Sequence, residues 1–412
     1  MENKNINQQY LPGDFKNQQP VRWCPGCGDH AVLNVLHKAM AALGVPPYQT
    51  AVISGIGCSS RLPYYMNTYG FHTIHGRGGA VATGFKVANP DMTVWQVCGH
   101  GDGLAIGGNH FIHEVRRNVD LNLLMLNNKI YGLTKGQYSP TSDRGFVSKS
   151  SPYGTTEDPF VPAELVFGAR GTFFARSIDV ELKISQEVMM AAAQHKGLAV
   201  VELLQNCMIF NNGIHNYITD RATRADRTIH LVHGEKMIFG AEKNKGIVQD
   251  GFGLKAVTIG EDGYTIDDVL VHDAHCQSNF LHQQLAMMDG HELPLAIGVI
   301  RQVDAPNYDS AVAAQVEEVK AKKGYTCLHD MIMAGETWEV KLSAPSLTVY
   351  IRKPFPDEGS GFRSFMAFGL GAMGGVANDK KSRLRRKKTT PAGFQAWRGH
   401  YMPKACRYLW GD

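Results

Sequence analysis

Between residues 30 and 43 the apolar positions Val32, Leu33, Leu36, Met40 and Leu43 recur at helical spacing, and Gly44 with Pro46 and Pro47 closes the run. A helix is predicted there. The short run TAVIS (50–54) breaks at Gly55 and Gly57 and reads as a strand. HGRGGAVATGFKVANP (75–90) is a glycine-rich entry into a helix that stops before Pro90, and MTVWQVCG (92–99) is an almost uninterrupted apolar strand. GHGDG follows at 99–103, then a helical pattern, then a second buried strand, LNLLMLNN (121–128). Strands that are apolar on both faces and joined by helices belong to a parallel sheet covered on both sides. Residues 181–196 read as an amphipathic helix and LAVVELL (198–204) as another buried strand. Past 210 the signal weakens: 211–290 is rich in His, Gly and Asp, while 293–300 is again strand-like and 310–324 helical. The predicted architecture is α/β, a doubly wound and mostly parallel sheet over residues 1–340, followed by a tail at 341–412 with little periodicity.

Composition changes this picture mainly by exclusion. With 43% hydrophobic and 19% charged residues, and no apolar run approaching 18, the chain reads as globular and not membrane-spanning. The polar N-terminus lacks the apolar stretch of a signal peptide, so a cytoplasmic location is expected, where eight cysteines read as thiols or metal ligands. The net charge of +4 is concentrated in the tail, since residues 343–412 carry 13 Lys and Arg against 4 Asp and Glu. The body has no basic stripe interleaved with aromatics, so nucleic acid is not an expected partner, and KKSRLRRKK (380–388) reads as solvated charge.

Ligands of doubly wound sheets gather at the carboxyl ends of the strands. The strand at 92–99 delivers Gly101-Asp102-Gly103 and the next delivers Asn127-Asn128, so a carboxylate and an amide oxygen converge at one edge. Two hard oxygens suit Mg²⁺ holding a diphosphate, and the glycines with a helix N-terminus near Leu104 suit the phosphates themselves. The GxGxxG of a dinucleotide site is missing here. Cys24 and Cys27 precede the first helix, Cys58 follows TAVIS and Cys207 follows LAVVELL, so three segments could bring four thiols to the same edge. Spacing leaves a [4Fe-4S] cluster and structural zinc both open, and a thioredoxin-type dithiol ranks below either. Cys98, Cys276, Cys327 and Cys406 read as buried or incidental.

WCPGCG, GIGCSSR, HTIHGRGGAVATGFK, GDGLAIGGNH and NNKIYGLTKGQYSPTS, followed by Cys207, stand in an order that resembles the β subunits of 2-oxoacid:ferredoxin oxidoreductases. The resemblance spans roughly 20–340 and is dense to about 210. It implies a thiamine diphosphate-binding fold in which Cys24, Cys27, Cys58 and Cys207 hold a [4Fe-4S] cluster, while Asp102, Asn128 and the carbonyl of Ile130 hold Mg²⁺. It implies further that Ile56, Gly57, Ser59, Gly101, Gly103, Leu104, Gly132 and Leu133 line the thiamine diphosphate, with His75 near its phosphates. Arg61 and Lys135 would serve the substrate or coenzyme A. The implied reaction is oxidative decarboxylation of a 2-oxoacid, with coenzyme A taking the acyl group and ferredoxin the electrons. The glutamate that activates the cofactor would come from a partner α subunit, in a heterodimer or a dimer of heterodimers. YGLTKGQ is similar to the 2-oxoglutarate-type members. The alternatives are pyruvate or another 2-oxoacid as substrate, a non-oxidative decarboxylase subunit with structural zinc, or a zinc-stabilised interaction subunit.

Overall fold

The structure, a computed structural model, describes residues 9–324, 326–340 and 349–352. The basic run 380–388 and Cys406 lie outside the described residues. Residues up to Asp330 form one compact unit; a second begins at Met331, and in it Thr337–Val340 pairs antiparallel with Val349–Arg352.

The first unit is built on strands β1 (Thr50–Ser54), β2 (Tyr69–His72), β3 (Thr93–Gly99), β4 (Asn122–Asn127), β5 (Phe173–Ile178), β6 (Ala199–Leu204), β7 (Thr228–Leu231), β8 (Ile238–Phe239), β9 (Lys245–Asp250), β10 (Gly253–Thr258) and β11 (Leu295–Gln302). Eight of them form one sheet in the order β2-β1-β3-β4-β6-β5-β11-β7. All neighbours run parallel except β11 against β5. Helices α1 (Asp29–Leu43), α2 (Gly78–Ala88), α3 (Gly108–Arg117), α4 (Pro162–Gly168), α5 (Leu182–Gln194), α6 (Phe280–Met287) and α7 (Tyr308–Lys323) accompany it.

Alternation along each strand sorts its side chains to two cores. Val52, Leu124, Leu126, Phe173, Ala175 and Val201 face α1 and α5, whereas Ile53, Leu123, Met125, Phe174 and Val200 face the layer of α2, α3, α4 and α6. Both faces are therefore covered, which is why these strands read as unbroken apolar runs. The sheet is doubly wound and mostly parallel, as expected.

Two features depart from the sequence pattern. The stretch 211–290 contains an antiparallel sheet, β10-β9-β8, whose short strands are broken by glycines and left partly exposed, so no apolar run announced it. The helical entry after β3 is not a plain α-helix: residues Asp102–Ile106 form a π turn closed by Gly107 N–H donating to the Asp102 carbonyl at 3.1 Å, and α3 starts only at Gly108. Single π turns of this kind recur at functional sites.

A buried ion pair crosses the sheet interior, where Arg176 Nε donates to Glu202 Oε2 at 2.8 Å and Asn127 Nδ2 donates to Glu202 Oε1 at 2.9 Å. Asn127 is thus part of the framework, its Oδ1 also accepting from Thr141 at 2.8 Å. Of the two consecutive asparagines, Asn128 is the one presented to the sheet edge.

Candidate cofactor site

Asp102 organises the carboxyl edge. It is buried, and its Oδ1 accepts from the backbone N–H of Gly76 at 2.7 Å and of Ile56 at 3.1 Å, with His75 Nδ1 at 2.6 Å. One carboxylate oxygen therefore ties the loop after β1 to the glycine-rich entry of α2. Its other oxygen lies against Gly55, where a Cβ would fall 1.9 Å from Oδ2, so only glycine leaves room. Across the cavity the Asn128 side chain accepts from Ile130 N–H at 3.2 Å, forming an Asx turn through Lys129, whose φ of 54° is unusual for a residue with a side chain.

The cavity between these elements is lined by Ile56, Gly57, Ser59, His75, Gly101, Asp102, Asn128, Ile130, Gly132 and Leu133 among others. The structure thus brings together most of the residues expected there. Gly103 and Leu104 sit beneath it, Leu104 in the core and Gly103 with its Cβ position 3.0 Å from Cys98 Sγ. Arg61 and Lys135 do not line it. Arg61 Nε donates to Tyr65 Oη at 3.3 Å, and Lys135 occupies a left-handed position, φ 77°, in the loop closed by the Tyr131–Gln137 bridge.

Two lining residues had no sequence signal. His100 donates from Nδ1 to the Leu126 carbonyl at 3.1 Å, so its buried Nε2 is a bare acceptor, and burial holds its pKa down at about 4. Gln205, also buried, has an Oε1 with no partner among the described residues. Unpaired buried polar atoms are costly, and those facing a cavity fit one that takes a polar ligand. Both orphans are acceptors and suit a hydrogen-bond donor on a ligand, while the carboxylate and amide oxygens suit the metal that holds a diphosphate.

Beside this cavity stand the four thiols. Cys207 is buried, Cys27 and Cys58 half-buried and Cys24 exposed. Three clamps hold their segments together: Trp23 Nε1 donates to the Cys58 carbonyl at 2.7 Å, Gly28 N–H donates to the Asn206 carbonyl at 3.1 Å, and Cys27 N–H donates to the Cys24 carbonyl at 3.1 Å. Burial pushes the Cys58 thiol up to about 12, with Asp29, Cys207 and Cys24 adding to the effect. Burial likewise lifts Cys27 well above the thiol range, with Asp29, Cys207 and Cys58 as neighbours. Hydrogen bonds thus tie the Cys24–Cys27 segment to the Cys58 and Cys207 segments, and the last two sulfurs meet at Gly132. Among the described residues no group of three or more His, Cys, Asp or Glu side chains is arranged to hold a single metal ion. Asp29, the first residue of α1, is fully buried beside Cys27 and pushed up to about 7 by burial, with Asp179 raising it further. It lies inside WCPGCGDH, yet nothing in the apolar pattern marked it as buried.

Gly132 joins the two sites. It lines the cavity, and a Cβ built on it would sit 3.6 Å from Cys207 Sγ and 3.7 Å from Cys58 Sγ.

Below the GDG turn, Glu114 is buried against Gly79 and accepts from Gln96 Nε2 at 3.3 Å. Burial pushes its carboxyl up to about 8 from an ordinary 4.5. The folded protein therefore holds a proton there that the unfolded chain has lost, and this group's stabilising contribution falls as the pH rises from 4.5 through about 8. Glu114→Gln is expected to raise the urea midpoint relative to the parent more at pH 8.5 than at pH 5. Denaturation at the two pH values checks this, and an equal offset at both would refute it.

Residues 55–203 match the family model described as "Thiamine pyrophosphate enzyme, C-terminal TPP binding domain". The fold is thus that of a thiamine diphosphate-binding enzyme domain. The chain is 44% identical over 330 residues to the 2-oxoglutarate oxidoreductase subunit KorB of Mycobacterium tuberculosis, covering 79% of this chain and 88% of that one. A 2-oxoglutarate synthase subunit KorB of Archaeoglobus fulgidus is 43% identical over 188 residues, 46% of this chain and 70% of that one. Among solved structures, a 2-oxoglutarate:ferredoxin oxidoreductase from Magnetococcus marinus, with 2-oxoglutarate, coenzyme A and succinyl-CoA bound, superposes with a TM-score of 0.62 at 33% identity. That match covers 81% of this chain and 97% of that one. The chain belongs to the family of 2-oxoacid:ferredoxin oxidoreductase β subunits, and it is an oxidoreductase subunit.

Proposed function

We propose that this chain, completed by an α subunit, catalyses the coenzyme A-dependent oxidative decarboxylation of 2-oxoglutarate to succinyl-CoA, with ferredoxin as electron acceptor. Run in reverse, the same machinery is a reductive carboxylase. The substrate follows from the names of the relatives and the ligands of the solved neighbour. The observation that carries the redox part is at Gly132, which lines the cofactor cavity together with Cys58 and whose Cβ position lies within 3.7 Å of the sulfurs of Cys58 and Cys207.

Thiamine diphosphate, when bound, supplies the carbanion and electron sink that decarboxylation of a 2-oxoacid requires. Asp102, Asn128 and the Ile130 carbonyl would hold its Mg²⁺, and backbone at Gly57 and Gly101 would let its diphosphate approach closely. Cys24, Cys27, Cys58 and Cys207 would hold a [4Fe-4S] cluster, binding it as thiolates after giving up their thiol protons. Arg61 would pair with a substrate carboxylate and Lys135 would meet substrate or coenzyme A from the loop edge. Asp102 is the acid that lines the cavity, with no glutamate among the described lining residues, which accords with an activating glutamate from the α subunit.

The test is anaerobic co-purification with the α subunit, followed by iron, sulfide and zinc analysis and coenzyme A-dependent viologen reduction with a panel of 2-oxoacids. We expect iron and sulfide in equal amounts and the fastest turnover with 2-oxoglutarate. Zinc without iron or sulfide would sink the redox reading, and a preference for pyruvate would overturn the substrate.

A further inference from the structure

The loop after β6, Cys207 to Asn211, touches both halves of the site. Asn211 N–H donates to the Cys207 carbonyl at 3.1 Å, closing the loop that presents the Cys207 thiol. From the same residue, Asn211 Nδ2 donates to the Asn128 carbonyl at 2.9 Å and approaches the Lys129 carbonyl at 3.5 Å. Phe210, one residue earlier, packs against the far end of the cofactor loop, where a Cβ on Gly136 would meet its ring at 3.1 Å.

The turn that Asn211 grips is one that needs holding. Lys129 stands at φ 54°, a left-handed conformation that costs a residue with a side chain energy. Several restraints meet its neighbourhood: Ser142 Oγ donates to the Lys129 carbonyl at 2.6 Å, Lys129 itself donates to Asn127 Oδ1 at 3.2 Å and to Asp143 at 2.7 Å, and the Asn211 amide holds the Asn128 carbonyl. This turn brings Asn128 and Ile130 to the cavity. Ser142 ties the turn to Ser139, whose N–H donates to its Oγ at 2.8 Å, and none of its hydrogen bonds among the described residues reaches the Cys207 loop. Asn211 acts on the turn through its side chain and on the Cys207 loop through its backbone.

We infer that Asn211 is a positioning residue that couples the two cofactor sites, fixing the Cys207 thiolate relative to the Asn128–Ile130 turn. The inference rests on the assignment of a cluster to Cys207 and of Mg²⁺ to that turn. Because one residue holds both segments, loosening its amide disturbs both, whereas loosening Ser142 disturbs the turn and the Ser139 segment but leaves the Cys207 loop in place. Asn211→Asp should be worse than Asn211→Ala, since it sets a carboxylate against two carbonyl oxygens.

The experiment uses the reconstituted αβ complex, anaerobically purified. Its readouts are iron and sulfide content, the electron paramagnetic resonance spectrum and midpoint potential of the reduced cluster, and the affinity for thiamine diphosphate with Mg²⁺. In Asn211→Ala we expect a full complement of iron, a displaced cluster spectrum and potential, and cofactor affinity lower by roughly three- to tenfold, the scale of one hydrogen bond. In Ser142→Ala we expect a comparable loss of affinity with the cluster spectrum unchanged. Iron-loaded Asn211→Ala that moves one readout but not the other overturns the coupling alone. If the parent complex lacks iron and sulfide, the cluster assignment fails and the coupling falls with it.

Discussion

Cys207→Ser is expected to strip the αβ complex of its brown visible absorption, to lower iron and sulfide together, and to reduce viologen turnover to background while thiamine diphosphate still binds. The reasoning is positional. Cys207 is the buried member of the four, its sulfur lies with that of Cys58 against Gly132, and a hydroxyl is a poor ligand for iron where a thiolate is a good one. Cys24, by contrast, is exposed, so a cluster held by the remaining thiols after its loss would be open to solvent. Iron and sulfide analysis with visible spectroscopy decides the matter. Unchanged iron in Cys207→Ser would remove this residue from the ligand set.

Asp102→Ala should have the largest effect on the cofactor. The substitution deletes the proposed carboxylate ligand and also orphans the buried N–H of Gly76 and the half-buried N–H of Ile56, which both rest on Oδ1. Each unsatisfied buried donor costs about 1–3 kcal/mol, so the loops that form the cavity loosen as the metal ligand is lost. Thiamine diphosphate affinity should fall by at least roughly a hundredfold, since loss of an outer-shell partner alone costs a metal site 10–100-fold. Asp102→Asn keeps the shape and one acceptor oxygen and should bind the cofactor better than the alanine variant, with turnover still impaired. Titration of the cofactor against the αβ complex measures both. Affinity for Asp102→Ala within tenfold of the parent would show that Asp102 does not hold the metal.

These two residues show how differently the two halves of the site could be read. Asp102 sits in a local motif at the end of an apolar strand, and strand, glycines and acid are all contiguous, so its place at the carboxyl edge follows from periodicity and sheet topology. Asn128 is similar: spacing left it level with Asn127, the resemblance picked it, and the structure turns Asn127 into the Glu202 and Thr141 network. The four cysteines are a different case. Their chemistry was visible as a set of candidates, but Cys27 and Cys207 are 180 positions apart, and nothing local could bring them together. Asp29, His100 and Gln205 were invisible for a related reason, since a polar residue carries no mark of burial until its neighbours are known.

The sequence by itself determined the layers and the chemical inventory: apolar runs that must be buried on both faces, helices between them, GDG and Asn-Asn at strand ends, and thiols after two more strands and ahead of the first helix. Periodicity and motif chemistry are properties of neighbouring residues, so they survive without the fold. Only the tertiary structure decided the strand order, the antiparallel β11, the sheet within 211–290, and the meeting of Cys58, Cys207 and the cofactor loop at Gly132. Those depend on contacts between residues far apart in the chain, which are settled by how the two cores pack and by which backbone groups find partners, as at Asn211.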